Sequence, residues 1–135
     1  MPKILWDQSF SVGNADLDDQ HKKWIDIINR LHDNLMHPTF QPESGIQALE
    51  EMLVYALTHF AAEERYMKKI GFSGAAAHAS IHVAFQKKVE NIISSLRSGQ
   101  FILDREIMAL LMEWLSRHIL DTDKKYAVFQ QGATA

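Results

Sequence analysis

The 135-residue chain carries 14 Lys and Arg against 17 Asp and Glu, a net charge of −3, with seven histidines and no cysteine. One domain of this length buries roughly two-thirds of its unfolded surface, and without cysteine it has no disulfides, thiolate metal sites or cysteine nucleophiles. The dispersed acidity excludes a basic nucleic-acid-binding face, no apolar stretch reaches the roughly 18 residues of a membrane span, and residues 1–7 lack a signal-peptide centre, so a cytoplasmic protein is expected.

An irregular N-terminal arm containing Trp6, Phe10 and Val12 comes first and is expected to pack across the rest. From Asp16, the positions Leu17, Trp24, Ile28, Leu31 and Leu35 form the stripe of an amphipathic helix that also contains His21. Asn14 or Asp16 can cap its start, and His37-Pro38 ends it, because the residue before proline is pushed out of the helical region. After the loop 38–42, a second stripe runs through Ile46, Leu49, Leu53, Ala56, Phe60, Glu63, Met67 and Ile70 and stops at Gly71. A third stripe takes His78, His82, Phe85, Val89, Ile92 and Leu96, closed by Ser98-Gly99. The fourth opens at Asp104 and continues through Ile107, Leu111, Trp114 and His118, followed by a mixed tail. Four helices joined by short loops predict an all-α fold, an antiparallel up-down-up-down four-helix bundle with an irregular N-terminal arm, in a single domain over residues 1–135.

Each predicted helix places a potential metal ligand on its apolar face: His21 on the first, His59 and Glu63 on the second, His78 and His82 on the third, His118 on the fourth. Residues four apart on a helix are offset by only about 40°, so His59/Glu63 and His78/His82 each project as a chelating unit. A carboxylate inside an apolar seam costs several kcal/mol if it stays charged and unpaired, and the stripes offer Glu63 no Lys or Arg. Taken singly, a histidine on an apolar stripe is more often a hydrogen-bonded core residue than a ligand. Four helices that each bring an imidazole to the buried face favour a metal site. His32 lies off the stripe and His37 abuts Pro38, so both are read as solvated. Imidazole with carboxylate suits iron, copper, nickel or zinc. Five imidazoles exceed what one ion needs, which points to a dinuclear centre with bridging carboxylates, most commonly iron in a bundle core.

The chain resembles the hemerythrin family, in particular its single-domain bacterial members. The resemblance rests on Val12-Gly13-Asn14 with Asp18-Asp19-Gln20-His21-Lys22, on His59-Phe60-Ala61-Ala62-Glu63-Glu64, on His78-Ala79-Ser80-Ile81-His82, and on Trp114-Leu115-Ser116-Arg117-His118 continuing to Asp123. It implies that His78, His82 and His118 hold one iron, that His21 and His59 hold the other, and that Glu63 and Asp123 bridge them. The implied cofactor is two iron ions per chain with a bridging oxo or hydroxo group, and O2 as ligand. Phe60, Trp114, Leu115 and Ile119 are similar to positions that line the family's O2 pocket, although each also reads as ordinary bundle core.

Periodicity and resemblance disagree on the last ligand. On an ideal helix Asp121 lies nearer the face of His118, whereas Asp123 is about 140° away. A π-bulge, which adds one residue to a turn, would bring Asp123 round, so a bulge or unwound turn is expected within residues 118–123.

With the implied ligands and bridges, about eleven of the roughly twelve positions of two octahedral irons are filled, leaving one open on the iron with two histidines. The leading expectation is therefore a non-enzymatic, monomeric O2-binding protein for storage, delivery or sensing, with an O2-using enzyme as a candidate recipient. The alternatives are a di-iron oxidase or peroxidase, a nitric-oxide-handling protein, and, less well matched by a closed ligand set, iron storage.

Overall fold

The computed structural model describes residues 3–100 and 102–134. Among these, a single turn of 3-10 helix at Gln8–Phe10 precedes helices α1 (Ala15–Met36), α2 (Pro42–Lys69), α3 (Ala75–Arg97) and α4 (Arg105–Arg117). A π-helical segment at His118–Asp123 follows α4 and leads directly into α5 (Lys124–Thr134).

Local chemistry sets the boundaries. The Asn14 side chain accepts from the Leu17 amide at 3.0 Å, and Asp104 accepts from Ile107 at 3.0 Å, satisfying amides that have no partner within their helices. Of the two candidate caps for α1, Asn14 is the one used. At its other end His37 is extended, with ψ 137°, as Pro38 demands. Pro42 opens α2, where its missing N–H costs nothing.

Helices α2 and α3 both end in Schellman turns. Gly71 and Gly99 take φ of 73° and 77°, while the amides of Phe72 and Gln100 reach back to the carbonyls of Met67 and Ser95.

Helix α1 packs against α2 and α4, and α2 packs against α3. The starts of α1 and α3 meet the ends of α2 and α4, which gives the up-down-up-down order of a four-helix bundle. The main apolar cluster fills most of the length, with Trp24, Leu49, Met52, Val89, Met108 and Leu111 all but inaccessible to solvent. A smaller cluster of Val12, Leu17, Met67, Tyr126 and Ala127 closes one end.

The N-terminal arm lies across the bundle, as expected. The side-chain amide of Asn29 on α1 holds the Ile4 backbone at both ends, accepting from its N–H at 3.0 Å and donating to its carbonyl at 2.7 Å. The Lys124 ammonium donates to the Ser11 carbonyl and ties the arm to the start of α5. Ile4 and Phe10 enter the main cluster and Val12 the smaller one.

Three expectations need correction. The tail after His118 is a continuous helical extension rather than mixed structure. On α3 the buried residue is Ile93, 9% exposed, while Ile92 only flanks the core. His32 is half-buried rather than fully solvated: its side chain is 15% exposed and its Nδ1 is buried without a hydrogen bond, 3.7 Å from Asp33 Oδ1. His37 is exposed, as expected. No helix among the described residues is long and apolar enough to cross a membrane.

Candidate metal centre

Because α1 and α3 begin where α2 and α4 end, residues far apart in sequence converge near one end of the bundle. His21, His59, Glu63, His78, His82, His118 and Asp123 are the buried polar residues of the described chain, none more than 4% exposed. They form two overlapping groups. Glu63, His78, His82, His118 and Asp123 make one, and His21, His59, Glu63 and Asp123 make the other, with the donor atoms of each within 4.8 Å of one another. The two carboxylates are common to both.

Asp123 reaches the cluster through the π-helical segment His118–Asp123. Its Oδ1 lies 3.0 Å from His118 Nε2 and 2.9 Å from His78 Nε2, and its Oδ2 is 3.1 Å from His21 Nε2. The wider π turn gives the five-residue step the inward direction that a four-residue step has in an α-helix. Asp121 points outward, its side chain 69% exposed and 4.0 Å from Arg117.

These atoms crowd together without satisfying one another. The Nε2 atoms of His21, His59 and His78, Glu63 Oε1 and both Asp123 oxygens are buried with no hydrogen bond. The Nε2 atoms of His82 and His118 face each other at 3.2 Å. Buried polar groups are paired in the great majority of cases, so a knot of lone pairs turned on a common centre needs positive charge inside it. Among the described residues, only imidazoles form ion pairs with Glu63 and Asp123. Without a metal, protons must supply that charge. Burial pulls His21 and His78 down, but contact with Asp123 and Glu63 outweighs it and raises both to about 9. Burial opposes ionisation of Asp123, yet the surrounding imidazoles hold it well below the usual carboxylate range. Burial wins at His59 and lowers it, favouring the neutral, ligating form. The donor set thus fits divalent or trivalent metal ions of the imidazole-carboxylate class.

Four further residues shape the site. Gln20 Oε1 accepts from His59 Nδ1 at 2.6 Å, and Glu64 Oε2 accepts from His82 Nδ1 at 2.8 Å, turning both Nε2 atoms inward. The Tyr126 hydroxyl donates to Glu63 Oε2 at 2.9 Å. Trp24, three residues after His21, meets the edge of His59 with ring centroids 5.9 Å apart. Periodicity had placed Trp24 in the core and had no reason to single out the others. The signal for Gln20 and Glu64 was their adjacency to His21 and Glu63.

Of the expected pocket residues, Phe60 stacks on His82 at 3.8 Å and Trp114 on His118 at 4.4 Å, with interplanar angles of 7° and 11°. Leu115 and Ile119 are buried in the main apolar cluster.

The family model of the hemerythrin HHE cation binding domain matches residues 12–128. The chain is 31% identical to a bacteriohemerythrin of Stenotrophomonas maltophilia over 94% of its own length and 81% of that protein. It is 36% identical to a hemerythrin-like protein of Naegleria gruberi over 90% of its length and 88% of the relative. A crystal structure of wild-type hemerythrin superposes with a TM-score of 0.85 at 26% identity, covering 93% of this chain and 96% of the other. Fold, sequence and the set of buried donors agree, and the chain belongs to the hemerythrin family.

Proposed function

We propose that the protein binds O2 reversibly at a two-iron centre and serves in oxygen storage, delivery or sensing rather than as an enzyme. The observation that carries this reading is the unequal sharing of donors: Glu63 and Asp123 belong to both groups, three imidazoles complete one, and two complete the other. In this reading His78, His82 and His118 hold one iron, His21 and His59 hold the second, and Glu63 and Asp123 lie between them. The second position has one protein donor fewer, which leaves room for a small ligand. Two irons held by these residues would supply the electrons on which O2 binding draws.

The chain's own residues do the remaining work. Gln20 and Glu64 fix the direction of two ligating imidazoles, and Tyr126 holds one oxygen of Glu63. Phe60 and Trp114, stacked on His82 and His118, together with Leu115 and Ile119 in the adjoining apolar cluster, would keep water from the centre in this reading. All seven donors come from one chain, so the site needs no second copy, and the protein is read as a monomer working in the cytoplasm with O2 as its ligand and an O2-using enzyme as recipient.

The test is the visible spectrum of the iron-loaded protein under argon, then air, then argon again. Carriage predicts a band that appears in air and disappears under argon through repeated cycles. Irreversible oxidation on first exposure, with hydrogen peroxide accumulating, overturns the carrier reading in favour of an oxidase.

A further inference from the structure

His59 and His82 occupy matching places in the two donor groups. Each turns Nε2 inward and donates a hydrogen bond from Nδ1–H to a residue on the preceding helix, and that residue directly neighbours another member of the cluster. Gln20, beside His21 on α1, braces His59 on α2 at 2.6 Å; Glu64, beside Glu63 on α2, braces His82 on α3 at 2.8 Å. The geometry is alike and the charge is not. One brace is a neutral amide and the other a carboxylate.

We propose that Glu64 is a positioning residue that ranks the two metal positions, so that the one faced by His78, His82 and His118 fills first and empties last. The proposal rests on the two-metal reading above. A hydrogen bond to a carboxylate is roughly twice as strong as one between neutral groups, and it draws the Nδ1 proton away from the ring, making Nε2 a better donor to a cation. An amide oxygen orients the ring with little of that effect.

The surroundings favour transmission to the metal position. The His82 ring is stacked flat against Phe60 at 3.8 Å and is 3% exposed, so it has little freedom to swing away from the centre. Glu64 itself stays 40% exposed, in a groove shared with Arg65 and Lys68 that keeps its carboxylate in contact with water. His59 is equally buried, but its nearest ring, His21 at 4.5 Å, meets it edge-on, with Trp24 and Phe60 at 5.9 and 6.0 Å, so no ring is stacked flat against it. The count of imidazoles, three against two, acts in the same direction as the brace.

Metal-free protein titrated with Co2+, followed by visible absorption and calorimetry, tests the ranking in the wild type and in Glu64→Gln and Gln20→Glu. The wild type is expected to take up two Co2+ per chain in two resolved steps. Glu64→Gln keeps an acceptor but removes the charge, and is expected to weaken the tighter step about 10- to 100-fold while leaving the weaker one in place. Gln20→Glu is expected to tighten the weaker step and close the gap. With two Co2+ still bound per chain, an unchanged tighter step in Glu64→Gln, or equal weakening of both steps, overturns the ranking alone. A wild-type total below two Co2+ per chain overturns the two-metal reading itself, and the ranking with it. Far-UV circular dichroism confirms folding of each variant; if Glu64→Gln does not fold, Gln20→Glu decides, and failure to tighten the weaker step overturns the proposal.

Discussion

Asp123 Oδ1 lies 3.0 Å from His118 Nε2, although the two residues are five positions apart along one uninterrupted helical rod. An α-helix would turn them to different faces. The π-helical segment brings them to the same one, and the carboxylate it delivers is shared by both donor groups.

The two nearby aspartates should therefore behave differently on substitution. Asp123→Ala is expected to lower metal content below one ion per chain, a loss at least as large as the roughly 10- to 100-fold that follows removal of a residue supporting a ligand, because both positions lose a donor. Asp121→Ala removes only a 4.0 Å surface pair with Arg117 and should leave metal content unchanged. Elemental analysis after dialysis distinguishes them, and the reverse pattern would mean that the register at His118–Asp123 is wrong.

This segment also marks where the sequence stopped being readable. His21, His59, Glu63, His78, His82 and His118 stand on stripes because α1 to α4 keep regular periodicity, and the structure brings all six together. Across the π segment the next buried donor after His118 is Asp123, five residues on rather than three or four, so a count carried forward from His118 loses phase by one residue. Periodicity then favours Asp121 and makes α5 look like a mixed tail; only the family resemblance indicated Asp123. Ile92 and Ile93 show a smaller failure of the same kind, since adjacent apolar residues leave the stripe's centre ambiguous. Gln20 and Glu64 escaped for another reason. They sit at the edge of the buried face, where polar residues are ordinarily solvated, and a hydrogen bond to an imidazole on another helix has no periodic signature.

The stability that metal adds to the fold should grow as pH rises. His21 and His78 are raised from 6.5 to about 9, so their contribution to the metal-free fold is fully present below pH 6.5 and is lost as pH rises through about 9. Glu63 and Asp123 are lowered, so theirs is present above the unfolded values of 4.5 and 3.8 and is lost in acid. His59, lowered by burial, adds to the loss below pH 6.5. Metal binding must displace the imidazole protons and strengthens as they leave. The difference in Tm between Co2+-loaded and metal-free protein is expected to widen from pH 6 to pH 9 in calorimetric scans. A constant difference would show that the imidazoles do not carry those protons.

Tyr126 offers a test of the support beneath Glu63. Burial first, then the nearby Glu63 and Asp123 charges, push its phenol far above the ordinary range, so it remains a hydrogen-bond donor at every pH the protein survives. Tyr126→Phe keeps the ring that packs against Tyr66 and Phe72 and removes only the hydroxyl 2.9 Å from Glu63 Oε2. A hydrogen bond to a charged group contributes about 1.5–3 kcal/mol, and chemical denaturation should register a loss of that size. A change below about 0.5 kcal/mol would mean that Glu63 does not depend on this contact.

The central claim is that seven side chains from one chain hold two metal ions with Glu63 and Asp123 between them. Anomalous diffraction at the iron edge from crystals of the iron-loaded protein measures this most directly. Two peaks are predicted, one bounded by His78, His82 and His118 and one by His21 and His59, both in contact with the two carboxylates. A single peak, or iron located away from these residues, would contradict the account.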